Sequence, residues 1–120
     1  MNKNLEKELY NNFPPEWFEK MSPNYGHHWG FEVEDGWYNI IYELFECLAP
    51  YVKHLKEPNF QILQVKQKFG GLRIYTTHET DIIVRGLVNW SEQRANSICE
   101  ICGEIGKPNG KSVRCEKHNK

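Results

Sequence analysis

The sequence predicts an α+β fold, with helices packed on one face of a small antiparallel sheet. Three observations carry this reading. Two segments repeat apolar residues at helical spacing. One segment alternates at strand spacing around a Gly-Gly pair. The C-terminal quarter is short, polar and rich in cysteine. The 120 residues are expected to form a single domain over 1–120, with 97–120 as a metal-binding module within it.

Taking the elements in order, residues 1–13 read as a short helix with Leu5, Leu9 and Phe13 on one stripe, ending before Pro14-Pro15. Residues 14–36 are rich in Pro, Gly and aromatics, too apolar for a free linker, with a short helix expected near Glu16–Met21. Residues 36–55 carry the clearest helical stripe, with Trp37, Ile41, Leu44, Leu48, Val52 and Leu55 on one face and Asp35 as N-cap. Pro50 removes a backbone hydrogen bond, so a kink or restart is expected there. Cys47 reads as a small buried apolar residue.

Residues 60–77 read as a β-hairpin turning at Gly70-Gly71. That turn sets Lys68 opposite Arg73 and Lys66 opposite Tyr75. One face gathers Leu63, Val65, Phe69, Leu72 and Ile74; the other gathers Gln64, Lys66, Lys68, Arg73 and Tyr75. Residues 29–34 or 111–115 are candidates for a third strand, because a lone hairpin is marginal. Residues 80–98 form the last helix, capped by Thr80 or Asp81, its stripe Ile83, Leu87, Trp90 and Ile98 expected to pack on the hairpin. Gly86 weakens that helix, and a close contact is one reason to find glycine there.

The spacing Cys99-x-x-Cys102, twelve residues, Cys115-x-x-His118 places three thiolates and an imidazole in two pairs. Zinc takes four such ligands in a tetrahedron, and four protein ligands leave no open position, so the implied zinc is structural, held in a ribbon or knuckle. A disulfide fits poorly with the polar start of the chain, which lacks the pattern of a secretory signal. A thioredoxin-type redox pair lacks its βαβ setting.

Formal net charge is −1, yet residues 1–60 hold ten acidic and five basic residues and residues 61–120 hold six acidic and ten basic ones. No apolar run reaches the ~20 residues of a membrane span. The expectation is therefore a cytoplasmic protein with no membrane partner. Three functional readings follow. The leading one is stoichiometric binding to a host protein, with Trp17, Tyr25 and Trp29 as aromatic anchors. The alternative is a nucleic-acid or phosphate binder using Lys66, Lys68, Arg73 and Tyr75, extended by Lys107, Lys111 and Arg114. The third is a small enzyme using His27 and His28, beside Glu32, although no spacing assigns them a catalytic partner. A zinc deaminase needs His-x-Glu and Pro-Cys-x-x-Cys, and Ile98 precedes Cys99 here. A zinc-stapled nuclease needs a further histidine, and residues 103–114 have none.

The stretch Val65-Lys66-Gln67-Lys68-Phe69-Gly70-Gly71-Leu72-Arg73, together with Gly30-Phe31-Glu32, Asp35-Gly36-Trp37 and the Cys-x-x-Cys-Gly and Cys-x-x-His pairs, resembles a family of small phage and bacterial proteins. The resemblance covers about residues 29–118 and the motifs stand in the family's order. It implies a phage or prophage origin and a cytoplasmic site of action in a bacterium, and it supplies no catalytic residues.

Overall fold

A computed structural model of the protein describes residues 1–21, 30–55 and 59–119. Helix α1 spans Lys3–Asn12 and starts where the Asn2 side chain accepts from the backbone N–H groups of Asn4 and Leu5. Those donors have no partner within a helix, which is why Asn is favoured at this position. A short 3-10 turn, Pro15–Phe18, follows the Pro pair. Strand β1, Phe31–Glu32, leads through a second 3-10 turn, Asp35–Trp37, into helix α2, Tyr38–Lys53. Asp35 does not cap α2: its carboxylate accepts from Asn2 N–H at 2.7 Å, tying the start of α1 to the start of α2. Pro50 does not interrupt α2, which runs on as one helix to Lys53. It stands in the last turn, where little helix remains to be disturbed.

Strands β2, Ile62–Lys68, and β3, Gly71–Thr76, form the expected hairpin. The sheet order is β1-β2-β3, with β1 parallel to β2, so the sheet is mixed and not purely antiparallel. Parallel pairing arises because α2 intervenes as a crossover between β1 and β2. The turn also sits one residue earlier than Gly70-Gly71. Lys66 lies opposite Arg73, Gln67 opposite Leu72 and Lys68 opposite Gly71, leaving Phe69 and Gly70 as the two turn residues. Both have positive φ, 52° and 85°, as a tight two-residue hairpin turn of this hand requires. Each residue's partner moves by two positions, so the faces survive the shift: Val65, Leu72 and Ile74 are buried. Phe69 is lost from that face and stands 88 % exposed. A bulge between Ile62 and Gln64 lets Ile62 and Val65, three residues apart, both reach the core.

Helix α3, Ile82–Ala95, is capped by Asp81, which accepts from Ile83 and Val84 N–H. It does not bury the stripe Ile83, Leu87, Trp90. Val84, Val88, Ser91 and Ala95 face inward, while Ile82, Ile83 and Trp90 are exposed. Small and β-branched side chains let α3 approach α2 and β3 closely, and the bulkier stripe does not fit that gap. Cys47 is likewise exposed, on the outer side of α2. Beneath the sheet, Phe13, Trp17, Phe18, Phe31, Phe45 and Phe60 pack ring to ring, with Trp17 5.0 Å from Phe60 and 5.9 Å from Phe45 between centroids.

Candidate metal centre and basic sheet face

The metal module begins where α3 ends. Ile98 bridges to Ile105 across the Cys-x-x-Cys turn. Within that turn Gly103 N–H donates to the Cys99 carbonyl and Gly103 takes φ of 82°, a conformation glycine adopts without steric cost. Two short strands, β4 (Lys107–Pro108) and β5 (Val113–Arg114), then pair. Asn109 closes the loop between them by accepting from the N–H groups of Lys111 and Ser112. Cys115 and His118 follow within one turn.

Cys99, Cys102, Cys115 and His118 converge, with ligand atoms all within 4.8 Å of one another. Cys102 and Cys115 Sγ are 3.7 Å apart, Cys99 Sγ is 3.7 Å from His118 Nδ1, and Cys115 Sγ is 3.1 Å from the same nitrogen. A tetrahedron of metal–sulfur bonds near ~2.3 Å has edges of roughly 3.7 Å, so these spacings fit a metal ion. All four cysteines of the chain are free thiols. Burial opposes charge at Cys99, but N–H groups of Cys102, Cys115 and Ile101, with His118, outweigh it and bring the thiol down to about 6. At Cys102 the Glu104 N–H favours the thiolate; desolvation and the adjoining Cys115 and Cys99 sulfurs push it up on balance. A cation among the sulfurs would offset the like charge that pushes Cys102 up. The donor set is thus one that a divalent metal completes.

The module is held to the domain by backbone contacts that only glycine permits. A Cβ on Gly36 would lie 2.1 Å from the Cys99 carbonyl oxygen, and Gly36 N–H donates to the Glu100 carbonyl at 2.7 Å. Beside it Trp37 Nε1 donates to the Ile98 carbonyl at 2.9 Å. A Cβ on Gly70 would lie 3.0 Å from Ser112 N, so the hairpin tip rests on the loop between β4 and β5. Glu100, 2 % exposed, accepts from Glu34 N–H, Gln67 Nε2 and Ser112 Oγ, joining the segment between β1 and α2, the hairpin and the module at one carboxylate. Its role was not legible in the sequence, where it is one acid between two cysteines. The motifs around Gly36 and Gly70 are therefore the joints of the metal module.

On the opposite face of the sheet stand Lys66, Lys68, Arg73 and Tyr75. Lys66 faces Arg73 directly, and its Nζ lies 5.8 Å from the Tyr75 ring. Arg73 turns back to donate to the Leu72 carbonyl at 2.8 Å. Glu32, beside Lys66 on β1, accepts from Gln64 Nε2. Among the described residues the ion pairs are Lys3–Glu6 and Arg94–Glu43, so no carboxylate lies within ion-pair distance of Lys66, Lys68 or Arg73. Lys107 and Arg114 pair across β4 and β5 and line a cleft of about 440 Å³ with Ile105 and Cys115.

Of the expected protein-binding anchors, Trp17 is 2 % exposed and belongs to the aromatic core, where it lines the floor of a cleft with Pro14, Val52 and Phe60. Tyr25 and Trp29 lie outside the described residues, as do His27 and His28. Exposed apolar side chains appear instead at Phe69, Ile82, Ile83, Trp90 and Ile105. No helix is long and apolar enough to cross a membrane among the described residues. Compared with models of protein families, with curated proteins and with solved structures, the chain finds no match in any of the three.

Proposed function

We propose that this protein is a zinc-stapled binding module that takes single-stranded nucleic acid on the outer face of its three-stranded sheet. The observation that supports this is the pairing of Lys66 with Arg73, two cations opposite each other and neither in a direct ion pair among the described residues, although Glu32 flanks Lys66 and Arg73 acts on the Glu92 carboxylate at longer range. Like charges facing each other across strands repel, and a phosphate between them turns that cost into binding energy. Tyr75, next to Lys66, adds a ring on which a base stacks. The net charge of −1 does not oppose this, because binding responds to the local stripe.

The metal in this reading is zinc, bound by three thiolates and one imidazole, and its part is structural. Elemental analysis should find about one equivalent per chain. The functional test is the mobility of a single-stranded oligonucleotide at low and moderate salt, with wild type and with Lys66→Glu/Arg73→Glu. Wild type should shift it at low salt and release it as salt rises, with a log–log slope of about −0.7 per phosphate contacted. The double variant should not shift it. Absence of any shift by wild type at low salt would refute the reading.

A second reading, stoichiometric binding of a host protein, moves from Trp17 to α3. There Ile82 is 83 % exposed and Trp90 53 %, with the Arg94 guanidinium 4.7 Å over the Trp90 ring. Capture of a host protein by wild type and not by Ile83→Glu/Trp90→Glu, with nucleic acid ignored by both, would put this reading first.

A further inference from the structure

Phe69 occupies the first turn position of the hairpin with φ of 52° and 88 % of its surface exposed. Both facts are unfavourable. Left-handed backbone brings Cβ against the following carbonyl in any residue but glycine, and Asn or Asp tolerates it best. A bare aromatic ring in water gains nothing from burial. Among the described residues only Lys68 attends the ring, its Nζ 5.9 Å from the centroid. A bulky, strained and unburied side chain at a tip is a local cost that the fold does not recover.

The tip is nevertheless fixed. Gly70, the second turn residue, is buried, and its backbone packs on Gly110, Lys111 and Ser112 of the metal module. The hairpin end therefore cannot swing to bury Phe69. The ring stands at a fixed tip, with exposed Lys68 beside it on the hairpin and the backbone of exposed Lys111, on the module loop, packed against the next residue, Gly70. Beyond Lys68, along the strands, come Lys66, Arg73 and Tyr75.

We infer that Phe69 is the stacking residue for an unpaired base of a single-stranded nucleic acid whose backbone is followed by Lys68 and Lys111. This rests on the reading of the outer sheet face as a nucleic-acid surface. A base offers a flat face to the ring, and its flanking phosphates meet the two ammonium groups. A folded duplex buries its base faces and offers only phosphates. The strain at Phe69 then has a use: the ring is held in the conformation that binds, so little freedom is lost on binding.

The test uses the zinc-loaded protein and a fluorescein-labelled single-stranded oligothymidylate, read by anisotropy at low salt. Phe69→Gly removes the ring and the strain together. It should raise the unfolding temperature while weakening binding about tenfold or more, and Phe69→Tyr should restore affinity. A Phe69→Trp chain should show its added indole emission quenched on binding, a signal that a merely structural role would not produce. Wild-type affinity in Phe69→Gly, with binding still lost in Lys66→Glu/Arg73→Glu, overturns the inference and leaves the sheet-face reading standing. No binding by wild type overturns both. Equal loss on single-stranded and duplex DNA in Phe69→Gly also overturns it, since stacking needs an unpaired base.

Discussion

Gly36 and Gly86 are both glycines in or beside helices, and their surroundings differ completely. At Gly36 a methyl group would collide with backbone atoms of Cys99 and Glu100 at 2.1 and 2.6 Å, which no rotamer change relieves. Gly36→Ala should destabilise the protein at or above the top of the ~1–3 kcal/mol range for overpacking, read from the denaturant midpoint. At Gly86 nothing lies within 4 Å, so the close contact expected from the sequence is absent. Gly86→Ala should stabilise by up to about 1 kcal/mol through helix propensity alone, in the same measurement. Glu92 supplies a pH-dependent counterpart. Desolvation pushes its carboxyl above the usual glutamate range, opposed by the Ile74 N–H it accepts from and by Arg73; Glu79 adds to the rise and Arg85 opposes it. The folded state thus holds the proton more tightly than the unfolded chain. Stability from this group is fully present below the unfolded pKa of about 4.5 and is lost as pH rises through the folded value. Glu92→Gln keeps an acceptor for Ile74 and should gain stability at pH 7 with no gain at pH 3. An equal change at both pH values would contradict the assignment.

At the scale of elements, alternation sorted the hairpin's faces over residues 64–76 apart from Phe69, because side-chain period is a property of the strand itself, but the bulge between Ile62 and Gln64 buries Ile62 and leaves the expected Leu63 half-buried. The turn position was not legible in this way. Gly70-Gly71 and Phe69-Gly70 both supply a glycine, and local chemistry favours the pair without Phe. The choice is made by the loop between β4 and β5, forty residues downstream, against which Gly70 packs. The facing of α3 escaped for a related reason. Ile83, Leu87 and Trp90 and the set Val84, Val88, Ser91 and Ala95 both repeat at helical spacing, and hydrophobicity alone prefers the bulkier. Available space, set by α2 and β3, prefers the smaller. Val88→Trp should therefore be far more disruptive than Trp90→Ala, which leaves an exposed position and should change the unfolding midpoint little. The Cys/His cluster needed no such tertiary information, since two close pairs on knuckle-forming turns carry their own geometry.

For the whole molecule, the metal module and the sheet are one cooperative structure. Gly36, Gly70, Trp37 and Glu100 all cross between them. Removing metal with a strong chelator should disorder residues 97–119 and also loosen the hairpin tip. Trp37, fully buried with its indole N–H bonded to Ile98, should report this as a red shift in emission. Retention of the native spectrum in chelator would show that the module holds without its ion. A last consequence comes from Cys47, exposed on α2 and remote in sequence from the other three thiols. In the loaded protein a thiol-specific dye should find one reactive group per chain; stripped of its ion and unfolded, the same chain should offer four. The molecule would thus contain its own occupancy gauge, and the dye-to-protein ratio of any preparation would count the fraction of chains that hold an ion.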